Sequence, residues 1–222
     1  MASVGVVIAV RNLARHLGRA IESVRAQRPQ PVDIVVVDGH STDGSAAIAA
    51  GFSGVRVLAQ RGSGLADARN QGIEAVAGDL IAFCDADDRW SGDALAARLA
   101  ALEANSGALA VIGCVMLEAL DDETASAGQR ERIGRSVPGY TPGALLARRD
   151  VFTRIGPFDT TLKIGADTDW FVRLQQSDLP WTKIDTVTLH KGARGGSLSD
   201  DVAEYRRELL TVARRFVRRR RD

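Results

Sequence analysis

The sequence predicts an α/β fold: a mostly parallel central sheet flanked by helices, closed by a C-terminal helix. Short, solid apolar runs alternate with segments of helical periodicity through the first half of the chain, the pattern of repeated βαβ units. The apolar runs lack the polar alternation of a sheet with one wet face, so both faces are covered, as in a parallel sheet. With 222 residues, the chain is long enough for one sizeable core.

Each element follows in order. Val4–Val10 is a buried strand ending in Arg11-Asn12. Leu13, Leu17, Ala20, Ile21 and Val24 recur at helical spacing over 13–27, and Pro29 and Pro31 stop that helix. A second strand, rich in β-branched residues, covers 32–37. The segment Asp38-Gly39-His40-Ser41-Thr42-Asp43-Gly44 is a turn leading into a short helix over 45–50. A strand at 55–58, a Gly62-Ser63-Gly64 loop and a helix over 66–76 follow. Then come a strand at 80–84, an Ala/Leu-rich helix at 93–104 and a strand at 108–117.

The second half is less regular. The charged stretch 121–135 is expected to be a mobile surface segment. Structure resumes at 143–152, with a short amphipathic helix at 167–176, a strand at 181–189 and a Gly-rich loop at 192–199. Without an internal repeat or clear linker, residues 1–198 form one domain. Residues 199–222 form a basic helix packed on it or extending from it.

Composition excludes several classes. A formal charge of +1 argues against a nucleic-acid binder. No run approaches the roughly 18–20 apolar residues that span a bilayer. The N-terminus has no basic stretch before its apolar run, unlike a signal peptide. Cys84 and Cys114 each sit in an apolar run, without a CxxC pair or Cys/His cluster, so two buried reduced thiols and a cytoplasmic location are expected. The Arg214–Arg221 stretch is strongly basic. It reads as a solvated helix end or as a peripheral contact with an anionic membrane face.

Parallel sheets bind ligands beyond the carboxyl ends of their strands. That rule puts Val10-Arg11-Asn12, Asp38, Arg61–Gly64 and Asp85-Ala86-Asp87-Asp88 on one rim. Three carboxylates within four positions repel one another unless a cation intervenes, and hard oxygen donors suit Mg²⁺ or Mn²⁺. An acidic helix start accounts for the triplet equally well. The turn after the first strand has no G-x-G-x-x-G, and the chain has no G-x-x-x-x-G-K-[ST]. A metal is then the remaining way to neutralise a bound diphosphate.

The segments Val6–Asn12, Ile34–Gly44, Gly64–Ile73 and Gly78–Trp90 occur in an order and spacing that resembles the family 2 glycosyltransferases of GT-A fold. Gly156–Asp159 and Asp167–Leu174 resemble that family's acceptor-side segment. The resemblance implies inverting, Mn²⁺- or Mg²⁺-dependent transfer of one sugar from a nucleoside-diphosphate sugar. By position it implies Asp87 as metal ligand, His190 as a further candidate ligand and Asp167 as general base. Ala9, Arg11, Asp38, Arg69 and Asp85 fall on the donor side.

Three positions depart from the family pattern: Arg11 where an aromatic is common, Gly39 where a second Asp is common, and Ala166 where an acidic residue often stands. No Q-x-x-R-W occurs, so a non-processive enzyme is expected. The acceptor could be lipid-linked, glycan, peptide or small molecule. A degenerate binding or scaffold module and a metal-dependent nucleotidyltransferase are the alternatives.

Overall fold

The computed structural model describes residues 2–120, 127–195 and 201–219. Four parallel strands form the first half of the sheet: β1 (Val4–Val10), β2 (Asp33–Asp38), β3 (Val55–Ala59) and β4 (Leu80–Phe83), in the order β3-β2-β1-β4. Val10 pairs with Asp38, and Asp38 with Ala59, so the carboxyl ends lie in register on one edge.

β1 shows why its run is solidly apolar. Val4, Val6, Ile8 and Val10 join Leu17, Ile21 and Val24 of α1 (Ala14–Arg25) in one core layer. Val7 and Ala9 join Ala66 and Ala68 of α3 (Leu65–Ala75) in the other. The α3 contact is close: a Cβ at Gly72 would fall 2.1 Å from a Val7 methyl, so only glycine lets this helix lie so near the sheet. α2 (Ser45–Ala50) connects β2 to β3.

The rest of the chain extends the sheet. β5 (Arg89–Trp90), α4 (Ala94–Ala104), β6 (Ala110–Ala119), α5 (Ala127–Arg132) and β7 (Ser136–Pro138) precede β8 (Leu145–Arg148) and α6 (Arg149–Ile155). α7 (Ala166–Gln176), β9 (Trp181–Ala193) and α8 (Val202–Arg219) complete the chain. The sheet continues from β4 through β8, β6 and β9 to β5, with β7 paired to β6. β8 is antiparallel to both neighbours, which returns β6 and β9 to the direction of β1. The sheet is therefore mixed but mostly parallel.

Several local expectations change. β9 runs on to Ala193 because β6 pairs with it as far as Ala119. The Gly-rich loop thus begins later, and residues 196–199 of it lie outside the described residues. In the stretch expected to be mobile, 121–126 also lie outside. The remainder holds α5 and leads into β7, tied back where the Gly134 N–H donates to the Leu117 carbonyl (3.0 Å). β5 had no separate signal in the sequence. Trp90 anchors it: the ring is buried, its indole N–H donates to the Phe83 carbonyl (3.0 Å), and the buried Arg98 guanidinium lies 4.2 Å from the ring centre. Burial lowers the Arg98 pKa to about 9.

Candidate functional site

A cleft of about 470 Å³ opens at the carboxyl ends of β1 and β4. Ala9 and Arg11 at the end of β1, Asp85 and Asp87 after β4, Arg69 on α3 and Asp167 at the start of α7 all line it. Six of the eight expected site residues are brought together from four separate elements.

Their arrangement centres on Arg69. Its side chain is 2% exposed. One amino group donates to both oxygens of Asp85 (2.9 and 2.8 Å), and the other to Asp167. The Nε–H has no partner among the described residues. Arg69 thus lies beneath the cleft as a clamp between two carboxylates. α3 delivers it, and the close packing at Gly72 sets how far it reaches.

The carboxylates differ in charge balance. Burial would raise the Asp85 pKa, but Arg69 and Lys191 outweigh it and hold the group below the ordinary range. For Asp167, burial wins: together with the charge of Asp85 it lifts the pKa against the pull of Arg69. A carboxylate held in a cleft with raised pKa has the character of a general base. Asp87 accepts from the Arg194 Nε–H (2.8 Å). Asp88 turns inward, accepts from the Gly192 N–H (2.9 Å) and lies 3.9 Å from the Lys191 ammonium. Burial raises its pKa to about 7. Asp88 therefore ties the β4 turn to the end of β9, while Asp85 and Asp87 face the cleft.

His190 and Asp38 are not among the cleft-lining residues. Successive side chains of a strand point to opposite faces. Lys191 lines the cleft, whereas His190 faces Glu118, with its Nδ1 3.8 Å from that carboxylate. Burial and nearby Arg89 lower the His190 pKa. Asp38 is buried at the end of β2. One of its oxygens accepts from the Ser41 N–H (3.1 Å) and the other has no partner among the described residues. Gln60, which lines the cleft, lies close to the turn after Asp38: a Cβ at Gly39 would lie 2.9 Å from its side-chain oxygen.

Sequence reasoning missed Gln60, Tyr140, Lys163, Lys191, Arg194 and Tyr205, which also line the cleft. Lys191 and Arg194 could have been found from their place at the end of a parallel strand, had β9 been extended far enough. Trp170 is fully buried, and Arg173 pairs with Asp169 (2.8 Å) one turn away on α7.

Carboxylate oxygens suit a hard divalent ion. Among the described residues, no group of three or more His, Cys, Asp or Glu side chains is arranged to hold one alone. Asp87 and Asp85 fit an ion that takes one or two protein oxygens and fills its shell from water and phosphate.

Comparison with known proteins settles the family. The model for Glycosyl transferase family 2 matches residues 5–158. The chain belongs to this family. A PGL/p-HBAD biosynthesis glycosyltransferase from Mycobacterium bovis is 27% identical over 207 residues, covering 90% of this chain and 80% of the relative. An uncharacterized glycosyltransferase from Nostoc is 38% identical over 92 residues, covering 39% of this chain and 29% of that protein. Among solved structures, Staphylococcus aureus TarS 1-349 in complex with UDP-GlcNAc superposes with a TM-score of 0.72 at 17% identity, covering 90% of this chain and 61% of that one. Mannosyl-3-phosphoglycerate synthase from Rubrobacter xylanophilus gives 0.68 at 20% identity, covering all of this chain and 76% of that one. These likenesses show a shared GT-A fold.

Removing the clamp leaves two facing carboxylates without their cation. Arg69→Met should lower unfolding free energy at neutral pH by about 3–5 kcal/mol, the usual cost of breaking a buried ion pair. Asp85 has a depressed folded pKa, so its stabilising contribution is lost as pH falls. The gap between variant and wild type in urea denaturation should therefore narrow in acid. Equal midpoints at neutral pH would contradict the clamp.

Proposed function

We propose that this family 2 protein is an inverting, non-processive glycosyltransferase that uses a nucleoside-diphosphate sugar. One observation carries the reading: two carboxylates of the β4 turn and a third from α7 converge on one cleft, and a single buried arginine links Asp85 to Asp167 there. The third departs from ordinary carboxylate behaviour in the direction a base needs.

The donor lies along the β1 and β4 rim. Arg11 offers a guanidinium plane for the base, and the unpartnered oxygen of Asp38 is an acceptor behind that rim. Asp87, with Asp85, would hold Mn²⁺ or Mg²⁺. Such an ion, when bound, offsets charge on the departing diphosphate. Lys191 and Arg194 add positive charge on the same side. Asp167 takes the proton of an acceptor hydroxyl as its oxygen attacks the anomeric carbon. The new C–O bond forms as the bond to the diphosphate breaks, and configuration inverts. UDP sugars head the candidate donors because the TarS structures hold UDP and UDP-GlcNAc.

The acceptor side is built near a basic helix. No helix among the described residues is long and apolar enough to cross a membrane. On the outer face of α8, however, Leu210 and Val217 are 62% and 50% exposed, among exposed Arg206, Arg214 and Arg218. Apolar residues framed by arginines match an anionic bilayer surface. A peripheral contact there would bring the cleft to a lipid-linked acceptor on the cytoplasmic face.

Two experiments test these readings. Release of nucleoside diphosphate from UDP-, GDP- and dTDP-sugars should require Mn²⁺ or Mg²⁺, and both Asp87→Ala and Asp167→Asn should abolish it. The wild-type rate should fall as pH is lowered through the Asp167 pKa, which lies above the ordinary aspartate range, because the base acts only when ionised. Turnover unaffected by both substitutions would refute the assignment. In flotation with phosphatidylglycerol vesicles, the chain should float, whereas a Leu210→Glu/Arg214→Glu/Val217→Glu variant should not. Equal recovery of the two would remove the membrane contact.

A further inference from the structure

α7 carries Asp167 in its first turn, so the base is placed by whatever fixes the start of that helix. The helix has no side-chain cap of its own: Gly165 stands at the cap position and makes no side-chain hydrogen bond. The preceding backbone is instead held by the opposite element. Glu208, on α8, is 6% exposed and points its carboxylate at the turn before α7. One oxygen accepts from the Lys163 N–H (2.7 Å). The other accepts from the Ile164 and Gly165 N–H groups (2.8 and 2.6 Å).

Three successive amides around one anion form a nest. Burial would raise the Glu208 pKa, but these N–H groups outweigh it and keep the group below the ordinary range, hence ionised. The fit is tight: a Cβ at Gly165 would meet the Glu208 Cβ at 3.2 Å and its carboxylate at 3.3 Å.

The rest of this helix face points the same way. Positions 205, 208, 212 and 215 follow helical spacing. Tyr205 lines the cleft, Val212 is buried against α7, and Arg215 donates to Asp159 (2.7 Å). Lys163 and Ile164, whose amides Glu208 binds, themselves line the cleft beside Asp167.

We propose that Glu208 is a positioning residue for Asp167: by holding the 163–165 backbone it fixes the first turn of α7 and makes α8 part of the active site. Tyr205 then closes the acceptor side of the cleft from the same helix. Glu208 touches no reacting atom. Its effect reaches the chemistry through the angle and distance at which Asp167 meets the acceptor hydroxyl.

The inference rests on Asp167 being the base, and the test separates the two. Glu208→Ala and Glu208→Gln are made in the full chain, beside Asp167→Asn, and nucleotide release from UDP-, GDP- and dTDP-sugars is followed with Mn²⁺. Glu208→Ala should lower kcat on the order of 100-fold, the cost of a small misplacement of a reacting group. Its KM for the donor and its calorimetric affinity for nucleoside diphosphate with Mn²⁺ should stay at wild-type values, because Ala9, Arg11 and Asp87 are carried by β1 and the β4 turn, not by the backbone that Glu208 holds. Glu208→Gln keeps an oxygen able to accept from Ile164 and Gly165, so it should recover part of the lost kcat.

If Glu208→Ala does not fold, the Gln variant decides by the same split. A folded Glu208 variant with wild-type kcat, while Asp167→Asn is inactive, overturns the positioning role alone. Parallel losses of kcat and nucleotide affinity also overturn it, since they mark general loosening. Wild-type turnover by Asp167→Asn overturns the base assignment, and this inference with it.

Discussion

Arg69 carries a full charge with almost no access to water, a state that burial alone would not allow. Asp85 and Asp167 make it tolerable, and in return Arg69 brings together carboxylates from two distant parts of the chain. The fold is arranged to let this happen. The parallel order of β1 and β4 puts the β4 turn on the rim. The missing side chain at Gly72 lets α3 lie close over β1, so that Arg69 arrives under the rim rather than beside it. The second half of the chain then has to present Asp167 to the same guanidinium, and α7 does so from the opposite wall.

The two partners are not equivalent. Asp85 receives both hydrogen bonds from one amino group and is held ionised. Asp167 shares the remaining end of the cation, and burial leaves it more basic. One arginine therefore holds two carboxyl groups whose proton affinities are pushed apart, an arrangement that lets neighbouring acids take different roles. Asp87 and Asp88 extend the pattern. Adjacent in sequence, one faces Arg194 and the cleft, while the other is buried against the end of β9. The acidic run after β4 is thus divided among a clamp partner, a cleft-facing carboxylate paired with Arg194 and a structural tie.

Much of this was legible in the sequence, for identifiable reasons. Solid apolar strands and helical spacing gave β1 to β4, α1 and α3 within a residue or two, because local pattern and tertiary burial agree there. The rim rule then gathered Arg11, Asp85 and Asp87. Asp167 came from resemblance, since nothing local distinguishes it from a helix start. What stayed hidden depends on pairing between distant segments. The two-residue β5 exists only because β9 runs beside it. Whether Lys191 or His190 faces the cleft is set by the β6–β9 register, which shifts twice near Cys114. Glu208 reads as one more charged residue on a basic helix. Only the packing of α8 on α7 reveals it as an anchor.

The most direct test of the account is a crystal structure of the chain with Mn²⁺ and UDP, read by anomalous scattering. The account predicts a manganese peak at the Asp87 carboxylate, with the nucleotide in the same cleft and its base along the β1 rim near Arg11. A manganese peak away from Asp87, or a nucleotide bound outside this cleft, would contradict it.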